Sequence, residues 1–301
     1  MTMPQPGIFA QGNTENAYLE FDLDRPEALE DALRALFRIP AAYTEGSTNM
    51  VVGVRPSLWR AARPADTPED AADWDEPIRG TDGFTMPATP HDLWVWLSAG
   101  DRSILFDRTT ELRDALAGIA TVATELGGWH YKQSRDLTGF IDGSENPSLI
   151  EAPIAACVAP GRPGAGASIL LFQQWRHEKS WQNLSEQDQE LVIGRTKSDS
   201  VELADDVKPA SSHVARTVVD VDGNELDIFR HNVSYGCTGD HGTLFVGFSQ
   251  DQWRQFEMLR RMAGVDGTRD ALTRFTTPLS GATYVIPSVQ ALADYLPQDD
   301  D

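Results

Sequence analysis

Residues 139–147 read Gly139-Phe140-Ile141-Asp142-Gly143-Ser144-Glu145-Asn146-Pro147 and place one carboxylate between two glycines. Because glycine has no Cβ, the backbone there can turn sharply or lie close to a flat ligand. Asp142 alone fits two interpretations: a turn residue that bonds to the backbone, or an acid that projects into a binding site. The rest of the chain has to decide between them.

Further distinctive stretches lie on both sides of this segment. They are Gln5-Pro6-Gly7-Ile8, Gly194-Arg195-Thr196-Lys197, Ser212-His213-Val214-Ala215-Arg216, Phe229-Arg230-His231-Asn232-Val233-Ser234-Tyr235-Gly236, Phe275-Thr276 and Ile286-Pro287-Ser288. Together with the GxxDG pattern of 139–143 and the Asn-Pro that follows it, they resemble the dye-decolorizing peroxidases. Within that family the chain is most similar to the shorter, B-type branch. The resemblance covers nearly the whole chain, and its motifs are specific jointly although each is weak alone.

Composition limits the class of protein. A chain of 301 residues is long enough for one large domain or two of about 150 residues. Its 41% hydrophobic and 24% charged residues are ordinary for a globular protein. The 46 acidic against 25 basic residues give a net charge of -21, which repels phosphate backbones and anionic lipid. We therefore expect neither nucleic acid nor a membrane as partner, and neutral or cationic substrates.

Two further compositional features bear on compartment and cofactor. The start of the chain lacks a basic region followed by an apolar run, and no stretch approaches 18 apolar residues, so a cytoplasmic protein is predicted. Cys157 and Cys237 are the only cysteines, and neither CxxC nor CxxCH occurs. The sequence thus gives no support for a disulfide framework, a cysteine zinc site or covalently attached haem.

Apolar periodicity predicts an α+β chain of two similar halves. In the first half we predict strands at 17–23, 50–54, 93–97 and 122–126, helices at 29–37 and 110–117, and a long loop at 64–92. In the second half we predict strands at 154–158, 168–173, 214–219, 226–229, 243–248 and 282–286, and helices from Ser185 and at 252–262. Ser185 with Asp188 forms a capping box. The resemblance implies two ferredoxin-like domains of the dimeric α+β barrel type with antiparallel sheets, residues 1–145 and 146–301, with haem in the C-terminal one.

A haem enzyme of this kind needs an axial ligand, for which histidine is a common choice. Three of the six histidines are interpreted as surface or turn residues: His91, His130 and His177. His231 and His241 stay open as alternatives. The resemblance places the proximal ligand in Ser-His-x-x-Arg, so His213 is the predicted iron ligand of one non-covalent haem b per chain. Asp270 is the predicted carboxylate that accepts the other ring proton of His213.

Peroxide cleavage needs one group that moves a proton and one cation that stabilises the departing oxygen. Asp142 can carry the proton, and the guanidinium of Arg230 stays charged at any working pH. The resemblance implies these catalytic roles for both residues. Asn232, two residues beyond Arg230, projects to the same side of an extended segment and is a third catalytic candidate. His231 between them is expected to face away.

Four residues are predicted to contact the cofactor besides the axial pair. Gly143 and Ser144 follow Asp142 directly, so they lie where the chain would approach a flat ring. Arg195 and Arg216 are candidates for hydrogen bonds with the haem propionates. An arginine in such a motif is as often part of a structural ion pair, and that alternative stays open for both.

The predicted function is a haem peroxidase in which hydrogen peroxide oxidises haem by two electrons, through a ferryl intermediate. Small aromatic reductants such as dyes and phenols then return it in single-electron steps. The resemblance also implies a homo-oligomer. The alternative is a haem-binding or haem-handling protein that carries the cofactor or extracts its iron without peroxide turnover. Asp142 together with Arg230 favours the enzyme, because a carrier needs neither group. A third interpretation is a ferredoxin-like interaction module without haem.

Overall fold

The computed structural model describes residues 2–39, 48–132 and 135–297. Its strands are β1 (Glu15–Leu23), β2 (Thr48–Val54), β3 (Ile78–Arg79), β4 (Thr85–Met86), β5 (Leu93–Ala99), β6 (Ala120–Trp129), β7 (Ser168–His177), β8 (Asp220–Val221), β9 (Asn224–Glu225), β10 (Phe229–Arg230), β11 (Val233–Cys237), β12 (Asp240–Ser249), β13 (Thr276–Pro278) and β14 (Ala282–Ile286). Its α-helices are α1 (Leu29–Leu36), α2 (Pro56–Ala62), α3 (Arg102–Ala115), α4 (Ala152–Ala156), α5 (Glu186–Ile193), α6 (His213–Thr217) and α7 (Gln252–Ala263).

The main sheet closes on itself. Its strands follow the order β10-β12-β11-β6-β1-β5-β2-β14-β7-β13, every pairing is antiparallel, and β12 also pairs with β7. This extra pairing joins β12, β11, β6, β1, β5, β2, β14 and β7 into a barrel with four strands from each half of the chain. The predicted α+β class with antiparallel sheets is confirmed.

Alternation along the strands separates two packed faces. In β1, Tyr18 points into the barrel with Trp94 and Phe172, whereas Leu19 points outward and packs with Leu33 of α1. Each fully buried large side chain contributes about 1.5–3 kcal/mol of hydrophobic stabilisation. Helices α1 and α3 cover the outer face of the barrel strands of the first half, which are β6, β1, β5 and β2. Helix α7 covers part of the outer face of β7 and β12, and the rest of that face is left for a cavity.

The two terminal motifs meet where the halves join. The buried side chain of Gln5 accepts a hydrogen bond from the Val52 N–H at 2.9 Å and donates to the carbonyls of Val52 at 2.8 Å and Pro287 at 3.1 Å. Gly7 has no room for a side chain, since a Cβ would lie 2.6 Å from Val51. The opening and closing stretches therefore brace the contact between β2 and β14.

Most of the predicted elements are present, but two predicted strands are wrong, and the strand predicted at 226–229 is present only at Phe229, where β10 begins. Residues 154–158 begin inside α4 and enter no sheet: Ile154 is exposed, whereas the four residues that follow it are buried. Residues 214–219 begin inside α6, because the Ser212 hydroxyl caps the N-terminus by accepting from Ala215 N–H at 3.4 Å. The cap outweighs the β propensity of the valines. Within the described ranges no helix is long and apolar enough to cross a membrane.

Candidate active site

A deep cavity lies between the outer face of β7 and β12 and the helices α6 and α7. Together with the open solvent at its mouth, it takes in about 1610 Å³. Part of its wall is apolar, built from Phe245, Met258, Leu259, Met262 and Leu272. The polar part of the wall comes from the 136–145 segment, from β10 and from the ends of β7 and β12.

His213 is the first residue of α6 and lines the cavity. Its Nδ1 lies 2.7 Å from Oδ2 of Asp270, and the other oxygen of this fully buried carboxylate accepts from Leu272 N–H at 2.8 Å. Because a carboxylate accepts, Nδ1 carries the ring proton, and the lone pair of the neutral imidazole is on Nε2. Asp270 thus fixes a tautomer that leaves Nε2 free to bind a metal.

The segment 139–147 forms a wall of the same cavity. Gly139 and Gly143 have φ values of 98° and 76°, which L side chains rarely adopt. A Cβ on Gly139 would also lie 2.6 Å from Cε of Lys197. Gly139 therefore makes room for a lysine, whereas Gly143 and Asp142 line the cavity itself.

Asp142 sits among groups that adjust its acidity. Burial raises the pKa of its carboxyl above the ordinary value, the cation of Arg230 acts against the rise, and the charge of Asp136 adds to it. Asn232 hydrogen-bonds to Asp142, which also lowers the pKa. Since Oδ1 of Asn232 accepts from Val246 N–H at 3.1 Å, its NH₂ is the end that faces Asp142. The result is a carboxyl that holds a proton more readily than an exposed aspartate does.

Arg230 is held in place by the asparagine of the motif. Asn146 accepts from the Arg230 N–H at 3.0 Å and donates to the Arg230 carbonyl at 2.8 Å, across 84 residues of sequence. The guanidinium Nε of Arg230 is buried and has no hydrogen-bond partner. A buried, unsatisfied cationic donor beside a cavity is poised for an acceptor that enters it.

The chain is similar to known proteins along nearly its whole length. Residues 133–291 match the family model "Dyp-type peroxidase, C-terminal". A dye-decolorizing peroxidase of Rhodococcus erythropolis is 34% identical over 97% of this chain and 89% of its own length. One from Mycolicibacterium paratuberculosis is 40% identical over 70% of this chain, and the match spans 61% of that relative. The solved structure of DyPB from Rhodococcus jostii superposes with a TM-score of 0.87 at 32% identity, covering 96% of this chain and 97% of that one.

The chain belongs to the dye-decolorizing peroxidase family. A putative dyp-type peroxidase from Shewanella oneidensis has the same fold, with a TM-score of 0.87 at 29% identity over 98% of this chain and 99% of that one.

In this dye-decolorizing peroxidase family member the cavity brings together most of the predicted site residues. Those that line it are Asp142, Gly143, Ser144, Arg195, His213, Arg230 and Asn232. Their catalytic and cofactor-binding roles stay predictions. Asp270 lies behind His213, as its predicted role requires.

The two arginines predicted for the propionates differ in position. Arg216 is buried away from the cavity lining, where its guanidinium donates to the Arg261 carbonyl at 3.0 and 3.1 Å and pairs with Asp266 at 2.5 Å. Arg195 lines the cavity but already pairs with Glu145 at 2.8 Å and Glu202 at 3.3 Å. The structural ion pair left open from the sequence is therefore present for both, and only Arg195 is placed to reach a ligand.

The six histidines differ in whether they line the cavity. All six lie within the described ranges, and two of them, His177 and His213, line the cavity. The interpretation of His177 as a surface or turn residue is wrong: it ends β7, and its side chain is only 6% exposed. His231 faces away as predicted, with Nε2 2.7 Å from the Ile8 carbonyl, and burial lowers its pKa to about 4. Among the described residues no cluster of three or more His, Cys, Asp or Glu could hold a metal ion.

The sequence patterns did not predict that Asp136, Thr243 and His177 face the cavity. Period-2 alternation carried the available signal, because Gln173, Trp175 and His177 share one face of β7 and all line the cavity. The predicted strand ends at residue 173, four residues before the end of β7, and therefore does not include His177.

Proposed function

We propose that the chain is a haem peroxidase that uses hydrogen peroxide to oxidise small aromatic compounds such as dyes and phenols. The observation that carries the proposal is one cavity that holds a free imidazole Nε2 on α6, together with Asp142 and the unsatisfied Arg230 on other elements. Structures of the Rhodococcus jostii relative contain heme, and the family match places this chain with such proteins.

The residues present fit one non-covalent haem b. His213 would bind the iron through Nε2, and Phe245, Met258 and Leu259 would face the ring. Arg195 and Ser144 would meet its polar edge. When bound, haem supplies the redox centre that peroxide oxidises by two electrons and that two reductants return. Asp270 holds the Nδ1 proton of His213 and thereby increases the basicity of Nε2.

Asp142 and Arg230 would share the work on peroxide. As the carboxylate, Asp142 takes a proton from one peroxide oxygen; as the acid, it returns that proton to the other oxygen, which leaves as water. Its raised pKa suits both acts. Arg230 stabilises the negative charge that develops on the departing oxygen. Asn232 keeps Asp142 oriented, since its own amide oxygen is fixed by Val246.

Rapid mixing of the haem-loaded protein with peroxide tests these roles through the haem absorption spectrum. Arg230→Ala and Asp142→Ala should slow the spectral change by about 10²–10³-fold, and His213→Ala should lose haem. His91→Ala is the control, because His91 pairs with Asp22 far from the cavity lining. Wild-type rates in both distal variants would remove their assigned roles. Unchanged haem ligation in His213→Ala would overturn His213 as the iron ligand; of the alternatives left open, His231 faces away and His241 does not line the cavity, so His177 would become the candidate.

The alternative, a haem-binding or haem-handling protein, is less favoured. A carrier needs His213 but gains nothing from a buried cation with an unsatisfied donor beside a carboxyl of raised pKa. The same mixing experiment separates the two, since a carrier would show no spectral change and no dye oxidation.

We also propose that each half is a ferredoxin-like domain. The four barrel strands of the first half lie in the spatial order β6-β1-β5-β2, and those of the second half lie in the order β14-β7-β12-β11. When the strands of each half are numbered along the chain, both orders read fourth, first, third, second. The described cavity lining runs from Asp136 to Thr276, which supports haem in the C-terminal half and a boundary slightly before the predicted 145. The homo-oligomeric state and the cytoplasmic location stay predictions.

A further inference from the structure

A line of partly buried polar side chains leads from the cavity to a second, outer cleft. Asp136 and Thr243 line the cavity, and His177 lines both the cavity and the cleft. His241 lies in the cleft with its ring 5.9 Å from that of His177, edge to face. The function proposed above makes no use of Asp136, Thr243, His177 or His241.

The hydrogen bonds in this line have a direction. The Thr243 hydroxyl donates to Oδ2 of Asp136, while Oδ1 of Asp136 accepts from Thr138 N–H at 2.7 Å. His177 Nε2 lies 3.0 Å from the Thr243 oxygen. Because the threonine proton is already donated, its oxygen accepts, and His177 carries its proton on Nε2. The order of donation is therefore His177, then Thr243, then Asp136.

The charges on this line suit proton transfer. Burial lowers the pKa of His177, although Asp136 opposes this, and His241 lowers it further, so the ring is neutral at physiological pH. Burial acts to raise the pKa of Asp136, but His177 and the hydrogen bonds from Thr243 and Thr138 outweigh it and lower the pKa. Asp136 is thus a carboxylate that can accept a proton, and its charge reaches Asp142 in the same cavity.

Peroxide reduction makes a demand that Asp142 alone cannot meet. Cleaving peroxide only moves a proton between its two oxygens, but completing the cycle follows H₂O₂ + 2e⁻ + 2H⁺ → 2H₂O. Reductants that give up electrons outside the cavity release their protons to solvent. Two protons per cycle must then reach Asp142 while the cofactor fills the cavity.

We propose that His177, Thr243 and Asp136 form a proton relay that joins the outer cleft to the Asp142 pocket; this rests on the function proposed above. A proton from the cleft binds Nδ1 of His177 as the Nε2 proton passes to the Thr243 oxygen. At the same time the threonine proton passes to Oδ2 of Asp136, and Asp136 then gives it to Asp142 through cavity water. Rotation of the imidazole then restores the starting tautomer.

The competing explanation is a brace that ties the 136–143 segment to β12 without moving protons. Thr243→Val keeps the shape of the side chain and removes the hydroxyl, whereas Thr243→Ser keeps the hydroxyl. In the resting haem-loaded protein, protonation of Asp142 after a rapid drop in pH is followed by its carboxylic acid infrared band, assigned by its loss in Asp142→Asn. We expect at least ~10-fold slower protonation in Thr243→Val and near-normal rates in Thr243→Ser. Equal rates in wild type and Thr243→Val would overturn the relay.

Rapid mixing then separates the relay from the catalytic pair. In Thr243→Val the first spectral change with peroxide should stay within about 2-fold of wild type, because that step is proton-neutral, while steady-state turnover falls. The first spectral change in Asp142→Ala tests only the proposed catalytic role of Asp142 and does not bear on the relay. If Thr243→Val does not fold, His177→Gly takes its place: imidazole added to the cleft should restore its proton transfer, and failure of this rescue in a folded variant would overturn the relay. His91→Gln, at a surface pair with Asp22, is the matched control.

Discussion

At the scale of single residues, the buried carboxyl of Asp142 lowers folding stability while it serves the proposed reaction. Burial raises its pKa, so holding it ionised costs folding free energy once the pH exceeds the ordinary carboxyl pKa of ~3.9. Asp142→Asn should therefore raise the melting temperature of the haem-free protein at pH 7, and the gain should shrink as the pH falls toward ~4. The same variant should lose the fast reaction with peroxide.

Asp101 provides a control of opposite sign for that prediction. Its exposed carboxylate caps α3 by accepting from the Ser103 and Ile104 N–H groups, and these bonds lower its pKa. Its contribution to stability is present above the ordinary carboxyl pKa and is lost as the pH falls through the lowered one. Melting curves of Asp142→Asn and Asp101→Ala between pH 4 and 7 check the pair. A lower melting temperature for Asp142→Asn at pH 7 would contradict the expected gain in stability.

Much of the candidate site was predictable from single residues because a few of them carry rare patterns. Asp142 between glycines and His213 in Ser-His-x-x-Arg are visible in the sequence, and both line the cavity. Asp136 was not predicted, because its partner Thr243 lies 107 residues away. The tie between Asn146 and Arg230 spans 84 residues, and it gives the motif asparagine a purpose that local sequence does not show.

At the scale of elements, the position of His213 depends on a helix of five residues. Such a short helix has little stability of its own, so its N-cap matters. Ser212→Ala should cost about 0.5–2 kcal/mol and speed the loss of haem, because the capped turn begins with the proposed ligand. Ser185→Ala removes the cap of α5, which accepts from Asp188 N–H at 3.1 Å, at a similar cost and with normal haem retention.

Haem transfer to a scavenging protein, combined with chemical unfolding, measures both effects. Equal haem loss from the two serine variants would show that the cap of α6 acts only on global stability. An unchanged free energy of unfolding in Ser212→Ala would show that the buried hydroxyl contributes nothing as a cap.

The same helix shows where periodicity fails. Strand β14 was predicted with its observed bounds, because five apolar or β-branched residues run between turn signals. Helix α6 was predicted as a strand, because three of the residues in 214–219 are valines and no helical period can develop in five residues. Both elements have five residues, which is enough for a strand pattern but not for a helical one, so the short helix is set by its cap and by the surface on which it packs.

At the scale of the whole molecule, the halves join through few backbone pairs. Strand β11 meets β6 at two registered pairs, and β14 meets β2 at one, Val285 with Val54. The shared interior makes up for this, since Tyr18, Trp94 and Phe172 pack in one cluster from both halves. Closure of the barrel is therefore mainly a matter of aromatic packing and the Gln5 brace, neither of which local sequence patterns reveal.

The net charge of -21 acts on substrates as well as on solubility. Near the cavity mouth Glu145 and Glu202 pair with Arg195, and Glu202 and Asp205 pair with Lys208. Three carboxylates thus face two cations, so the charge of this cluster is also negative. A negative field raises the encounter rate of cationic molecules and lowers that of anionic ones. We expect kcat/KM for a cationic aromatic reductant to exceed that of an anionic one of similar potential at an ionic strength of about 0.01 M.

The advantage should shrink about 10-fold or more as salt rises to about 0.15 M, because the Debye length falls from about 30 Å to about 8 Å. Peroxide is uncharged, so its own rate constant, measured in the same solutions, should hardly change and serves as the internal control. An anionic dye that reacts faster at low salt would place its oxidation at a local basic patch, and would contradict steering by the overall charge. The salt dependence of the two reductants therefore separates the field of the whole molecule from chemistry at the cavity, since only the reductant step depends on that field.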